Sequence, residues 1–516
     1  MLLGIDLGTT YSAVSYLDND GNPQIILNRE EEPTTPSVVF VDGDKVIVGK
    51  KAREKGLNFP EKICKFVKRL MGYKEVALKE REEEYMPEAI SAMIVKRLLE
   101  DALVQTEEPI TGIVVTVPTF YTDEKRTATK QAVEAAIAAF CADKGFSQQV
   151  AGVQFISIID EPKAAALYYS HKVKRDSGKV LIYDLGGGTF DAALVEISDD
   201  TVTVIAETEE HEAGGMHFDE KIREYIMDQI LKKHSINLRE GKYAGEYERL
   251  LLDAEICKKQ LSDETVDEVK LTVNIGNHSV DVILTEEKFI ELIDAIVQRT
   301  MYAVWDILEE KELEPNEIDE VVLVGGSSRI PYVRKCLQEI FPNELSEAVD
   351  PDKAVSYGAA LYAGMLYQKI TKDEVEDNVN VTLRLQDVCA HSIGLLLLDS
   401  KTKEKYDDVL IKANTPIIAE AKREYQIAYQ NQTYIKMELT EGGTKFSETE
   451  IKLPQALAKG TKVELYIRVN FDHMIEVSMG IPAIKFTRDY KIERLKNLTE
   501  EEQKELSGLI ASKTLE

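Results

Sequence analysis

The chain has 516 residues, 44% of them apolar, and carries 92 acidic against 63 basic side chains, a formal net charge of −29. That length requires more than one domain, because a single core rarely grows beyond about 250–300 residues. The acidic balance argues against nucleic acid or an anionic membrane as the main partner, and no apolar run approaches the roughly 20 residues needed to span a bilayer.

In chain order, strand-like runs at residues 2–6, 113–117, 155–159, 180–184, 202–207 and 321–324 alternate with helical patterns at 122–142, 163–171, 218–234, 247–260, 286–311 and 330–340. This alternation predicts an α/β fold over residues 1–371. An acidic, polar stretch follows and reads as a linker over 372–387. From 388 to 482 the helical period gives way to runs such as "SIGLLLL" and "TKVELYIRV" separated by turns, which predicts a small antiparallel β-sandwich. In 483–516, Thr499 and Glu502 have the spacing of a capping box that opens one short helix. Cys64, Cys141, Cys257, Cys336 and Cys389 lie far apart without metal-ligand spacing and read as reduced thiols of a cytoplasmic protein.

Two related segments carry the chemistry. "LLGIDLGTTYSAV" begins at Leu2 and "LIYDLGGGTFDAAL" at Leu181, each an apolar run, Asp, Leu, Gly, then Thr and a second apolar run. A carboxylate at a strand end before a glycine-bearing hairpin suits a phosphate cradle, because close backbone N–H groups can face anionic oxygen. Thr9, Thr10 and Thr189 add hydroxyls. Asp6 and Asp184 would face each other across two equivalent halves, and two carboxylates beside a phosphate need a cation between them, for which Mg²⁺ is the usual choice. A third element, "VVLVGGSSRIPYVRKCL", puts Gly325, Gly326, Ser327 and Arg329 after a strand, where a base and ribose could sit. Neither GxxxxGK[ST] nor a spaced GxGxxG fingerprint is present. His211 and His217 lack a third ligand in view and read as loop histidines.

The motifs "GIDLGTTYSAV", "FVKRLMG", "IIDEPKAAAL", "YDLGGGTFDAALVEI", "AEICKKQLS", "VVLVGGSSRIP" and "DPDKAVSYGAA", in this order, resemble the Hsp70 family of molecular chaperones of the DnaK type. The resemblance implies an actin-like, ribonuclease H-like two-lobed ATPase followed by a peptide-binding β domain. It implies ATP or ADP, Mg²⁺ and K⁺ as cofactors, with Asp6 and Asp184 around hydrated Mg²⁺ and Asp191 near the attacking water and K⁺. Gly8, Thr9, Thr10 and Tyr11 match one phosphate loop; Gly186, Gly187, Gly188 and Thr189 match the other. Lys68 matches the lysine that reaches the γ-phosphate, and Glu161 the glutamate on the water side. Glu255, Lys258 and Ser262 match nucleoside contacts, and Lys259 stands where the family has an arginine. Gly214, Gly215 and Asp352 complete the nucleotide set. Pro118 and Arg126 match a relay between nucleotide and linker, and "LRLQDV" (383–388) matches the linker with Arg384 and Gln386 in place of aliphatic residues.

The implied partners are unfolded polypeptide clients, a J-domain co-chaperone and a nucleotide-exchange factor, with the chain itself a monomer. Four departures qualify this. Residues 72–113 are shortened and 138–152 extended. Ser157, Asp160 and Lys163 replace arginine, asparagine and threonine at the J-domain surface. A long helical lid is missing. A small-molecule kinase, a filament-forming protein of the same superfold and a degenerate Hsp70 acting as a scaffold are the alternative readings.

Overall fold

Strand Leu2–Asp6 is a continuous apolar run because both of its faces are covered. The computed structural model describes the whole chain apart from residues 143–146, 151, 175–176, 277, 344, 372–380, 382, 390, 399–403, 414, 471–473 and 491–496. Leu2–Asp6 pairs antiparallel with Tyr11–Leu17, Ile5 opposite Val14, and parallel with Gly112–Val117, Leu3 opposite Ile113. Phe155–Asp160 adds a further parallel strand. A second six-stranded sheet repeats the scheme. There Ser177–Leu185 turns back into Phe190–Ser198, Asp184 opposite Asp191, and pairs parallel with Glu320–Val324.

Two helices, Glu161–Val173 and Ala354–Ile370, form a layer shared by both sheets. One apolar cluster joins Leu2 and Val114 of the first sheet, Ile182, Val195 and Val322 of the second, and Ala164, Ala165, Ala359 and Ala360 of the helices. Small residues let the helices meet at their backbones: a Cβ on Gly358 would lie 1.7 Å from the Ala164 carbonyl oxygen. Helices Pro87–Thr106 and Asp123–Ala142 cover the outer face of the first sheet. Gly215–His234, Ala244–Gln260 and Glu286–Glu310 cover that of the second. This mixed α/β layering is consistent with an actin-like ATPase fold.

The sequence pattern did not reveal Pro87–Thr106 or Ala354–Ile370, because each is buried around most of its circumference and so lacks a polar stripe. The helix expected at 163–171 starts at Glu161, with Pro162 in its first turn. The inserted stretch 138–152 falls partly outside the described residues, as do 372–380 and 382 of the linker.

Beyond the linker, two four-stranded antiparallel sheets share a single apolar core. Lys462–Val469 alternates inward Val463, Leu465, Ile467 and Val469 with more exposed neighbours, the two-residue period of a half-buried strand. The second sheet includes Phe486–Tyr490, beyond the end expected at 482, so the segment expected to hold one short helix begins with a strand. Its helix is Glu500–Ser512, with the Thr499–Glu502 capping box in place.

The linker strand Arg384–Gln386 adds to the second sheet, parallel to Thr201–Glu210 with Leu385 opposite Val202. Leu385 is partly buried there and Arg384 and Gln386 are exposed, so the two polar replacements occupy outward positions. The β domain also touches the first lobe. Glu441 accepts a hydrogen bond from the Asp123 N–H at 2.8 Å, and Asp123 accepts one from the Ile475 N–H at 3.3 Å. His391 Nε2 lies 3.1 Å from the Phe120 carbonyl oxygen, with its ring edge-on to Phe120.

These contacts make the domain interface pH-sensitive. Burial, with Asp123 nearby, pushes Glu441 up to about 8 from 4.5. Burial lowers His391 from 6.5, so the docked state favours the neutral ring. Protonated Glu441 favours docking, and that contribution is lost as pH rises from 4.5 through 8; the His391 contribution is already present above 6.5. From pH 6.5 to 8 the interface is therefore expected to weaken by up to about tenfold per pH unit. Protease sensitivity of the segment between the domains checks this, and Glu441→Gln should flatten the slope.

Candidate functional site

The two strand–hairpin units bring their turns together in a cleft between the lobes, around a cavity of about 620 Å³. The turn after Asp6 holds Gly8, Thr9, Thr10 and Tyr11; the turn after Asp184 holds Gly186, Gly187, Gly188 and Thr189. The tips interdigitate, and a Cβ on Gly187 would lie 2.0 Å from Thr10 Oγ1. Glycine is thus required where one lobe's turn meets the other's.

At the floor of the cleft, buried Lys68 forms an ion pair with Glu161. The strand ends present Asp6, Asp184 and Asp191 to the same region. Burial, and then Glu161, raises Asp6 to about 7 and drives Asp184 and Asp191 well above the ordinary carboxylate range. Burial opposes the charge on Lys68, but Glu161 and Asp6 outweigh it and its pKa is raised. Asp191 accepts hydrogen bonds from the Thr119 N–H and from Thr189 Oγ1, each at 3.1 Å. An acid-rich floor with one lysine is matched to a cationic or phosphate-bearing guest rather than to an apolar one.

The rim is ionic and joins the lobes. Tyr11 donates its hydroxyl to Glu255 at 2.6 Å, and Arg53 and Lys259 each pair with Glu255 at 2.8 Å. Although burial pushes Glu255 up, these two cations hold it down at about 2. Lys258 pairs with Asp219 at 2.8 Å and donates to the Gly215 carbonyl at 3.0 Å; Ser262 donates to the Lys258 carbonyl at 2.8 Å. Ser327 donates to the Gly186 carbonyl at 2.9 Å. Arg329 bridges Asp350 at 2.7 Å and Asp352 at 2.8 Å.

Of the residues singled out in the sequence, Asp6, Gly8, Thr9, Thr10, Tyr11, Lys68, Glu161, Asp184, Gly186 to Thr189 and Gly215 line this cavity. So do Glu255, Lys258, Lys259, Ser262, Gly325, Gly326, Ser327, Arg329 and Asp352. Asp191 sits behind Thr189, and Gly214 caps the helix Gly215–His234 against Gly187 and Gly188. Two contributors were missed. Arg53 lies in "KKAREKG", which reads as a solvated charge run, and Asp219 carries no motif; only its opposition to Lys258 reveals it. Lys259, at the arginine position, is engaged with Glu255 and with Tyr11, whose ring centroid is 5.0 Å away.

A second constellation lies under the linker. Lys163 has no solvent exposure and pairs with Asp160, with Asp387 at 2.6 Å and with Glu207 at 3.3 Å. Arg126 pairs with Asp160 at 2.5 Å and donates to the Thr119 carbonyl at 2.8 Å. Asp160 and Lys163 are therefore buried together where a surface was expected, and Ser157 is buried beside them. His211 is exposed and pairs with Glu209; among the described residues no group of three or more His, Cys, Asp and Glu side chains is close enough to hold a metal ion directly.

No helix among the described residues is long and apolar enough to cross a membrane. A family model described as "Hsp70 protein" matches residues 2–80 and 73–508, nearly the whole chain. The chain belongs to the Hsp70 family.

Proposed function

We propose that this chain is an ATP-hydrolysing chaperone that grips extended apolar segments of unfolded polypeptide and couples peptide affinity to nucleotide state through its linker. Hsp70 proteins as a family bind nucleotide, hydrolyse ATP and act on unfolded polypeptides. One observation carries the finer reading: an unbroken series of polar contacts runs from cleft to linker. It passes from Asp191 through Thr119 to Arg126, from Arg126 to Asp160, and from Asp160 through Lys163 to Asp387. A change of charge in the cleft can therefore be felt at the linker strand by contacts that are buried and poorly screened.

In the cleft, the hairpin N–H groups and the hydroxyls of Thr9, Thr10 and Thr189 receive the phosphates. The donor set fits a hydrated cation, since Asp6 and Asp184 are both buried and burial, Glu161, Asp191 and Asp6 together raise the pKa of Asp184. Asp6 and Asp184 would hold a hydrated Mg²⁺, which would supply charge neutralisation for the phosphates, and Asp191 would hold K⁺ to the same end. Lys68 brings an ammonium to the transferred phosphoryl oxygens, where hydrolysis depends chiefly on positioning and charge. Glu161 orients that ammonium, and Glu161 with Asp191 stands ready to accept a proton from the attacking water. The pairs of Glu255 with Arg53, Lys259 and Tyr11 close the rim over the nucleoside.

The β domain offers exposed Leu398, Tyr406, Val409, Ile418, Tyr429, Tyr434 and Tyr466, apolar surface suited to apolar peptide. Lys163 and Asp160 are spent on the linker, so a J-domain that reads these positions would meet them only after the linker leaves. A cytoplasmic setting accords with the buried free thiols Cys64, Cys257, Cys336 and Cys389.

The decisive test is steady-state ATPase activity with and without an unstructured apolar peptide; absence of turnover, or of stimulation, overturns the corresponding half of the reading. Lys68→Ala should lower turnover by at least about a hundredfold while ATP affinity, measured by calorimetry, changes little. Asp387→Ala should leave basal hydrolysis in place and abolish its stimulation by peptide; Lys163→Ala, which leaves buried Asp160 and Glu207 and half-buried Asp387 without their lysine, should do the same and also lower the melting temperature.

A further inference from the structure

In the stretch "EAGGMHF" (212–218), Met216 and His217 follow the two glycines that bring the helix Gly215–His234 against the second hairpin turn. The Gly215 N–H donates to the Gly186 carbonyl at 3.0 Å and the Met216 N–H to that of Gly187 at 2.8 Å, so Met216 stands at the phosphate end of the cleft. It is 8% exposed, and it is the one long unbranched apolar side chain among the described residues that line the cavity.

The first lobe meets it there. Arg69 follows Lys68 on the turn Val67–Leu70, just after Ile63–Lys65, an edge strand of a small four-stranded sheet. The far edge of that sheet is Thr514–Leu515, paired parallel with Lys45–Val48. One turn thus carries a buried lysine into the cleft and an exposed arginine beside it. Arg69 Nη1 donates to Met216 Sδ at 3.8 Å, a contact that crosses between the lobes. Next to Met216 is His217, half-buried, whose Nδ1 is buried without a hydrogen-bond partner among the described residues. Burial, and then Arg69, holds its pKa below the ordinary histidine value, so near neutrality the ring is uncharged and one nitrogen is a donor. Arg299 is also near; it donates to the Glu212 carbonyl at 2.5 Å and pairs with Glu210 at 3.7 Å.

The walls of the cleft differ in how easily they open. At the nucleoside end Glu255 ties Arg53 and Lys259 together, and a bound nucleoside would stand in the way. The hairpin tips are pressed backbone against side chain, with no space to give. At Met216 the closure is one thioether on freely turning bonds, held by a weak hydrogen bond to sulfur. A phosphate ion beside Lys68 is anionic, and Arg69, the next residue, is an exposed cation whose planar fork suits phosphate oxygens.

We propose that Met216 is a gate through which inorganic phosphate leaves the cleft between the lobes ahead of ADP, with Arg69 as its first contact outside and His217 as its second. The gate rests on the ATP-hydrolysing reading of the cleft. ATP and water give ADP and phosphate at the Lys68 end; ADP fills the nucleoside end, and the sulfur swings aside to let the smaller product pass to Arg69. The two products then leave by separate doors, and the side chain at position 216 sets the rate of one of them.

Loading the intact chain with ADP, Mg²⁺ and radiolabelled phosphate, and following phosphate loss after dilution by rapid filtration, tests the gate without waiting on ATP cleavage. Met216→Ala should speed phosphate loss by about threefold or more and Arg69→Gln should slow it by a similar factor, while loss of a fluorescent ADP analogue from the same complex stays unchanged. Met216→Phe, which keeps the seam filled with a stiffer side chain, should slow phosphate loss and covers the case in which the alanine variant fails to fold. Phosphate loss that is equal in all three variants, phosphate and ADP losses that change together, or an intact chain that retains no phosphate beside ADP would each overturn the gate. ATP cleavage assayed on the same samples reports separately on the underlying reading: gated phosphate without cleavage sinks hydrolysis and keeps the gate, and cleavage with ungated phosphate does the reverse.

Discussion

The approach of two small-residue helices to backbone contact is the constraint on which the rest of the molecule depends. Gly358 against the Ala164 carbonyl, and the alanines around them, let one layer of helix serve two sheets. With a thicker layer the two hairpin turns would not reach each other, and the space that forces Gly187 against Thr10 would open. The same layer fixes the first turn of Glu161–Val173, which carries Glu161 into the cleft and Lys163 beneath the linker. Two residues apart on one helical turn, these side chains face different partners, and a tilt of that turn alters both pairings together. Close packing makes such a turn move as a unit rather than bend.

Electrostatics follows from that geometry. The chain gathers acids where charge is costly: Asp6, Asp184, Asp191 and Glu161 in the cleft, and Asp160 and Glu207 beneath the linker with Asp387 of the linker itself. Each group holds more carboxylates than paired cations. Among the described residues Lys68 is the cation paired with the floor, and Lys163 and Arg126 serve the linker cluster. Burial raises Glu207 to about 8, so one of its three carboxylates keeps a proton near neutrality and the cluster is close to balanced. In the cleft the pKa values of Asp6, Asp184 and Asp191 are raised in the same way, a cost of burial and mutual repulsion that an external cation would relieve.

Much of this was legible in the sequence. The two aspartate–glycine turns announced the cleft because the same residue types recur in them at the same spacing, and the residues of those motifs do line one cavity. Arg53 and Asp219 were illegible because a cross-lobe ion pair leaves no local pattern. Helices Pro87–Thr106 and Ala354–Ile370 were hidden by their own burial. Asp160 and Lys163 were read as altered surface positions, since nothing local shows that two substitutions of opposite charge meet each other and Asp387. The β domain was legible as a type from its two-residue alternation, but its end was not, because Phe486–Tyr490 follows a proline that reads as a stop.

The pairing of Thr514–Leu515 with Lys45–Val48 joins residues about 470 positions apart. At a synthesis rate of about 5–20 residues per second, the early edge strand waits tens of seconds for its partner. During that interval Arg97 lacks its main-chain acceptor and the edge of the small sheet stands open, a feature that invites association with other chains. The small sheet of the first lobe is thus begun by residues 38–48 and covered at its edge only when residues 514–515 reach it.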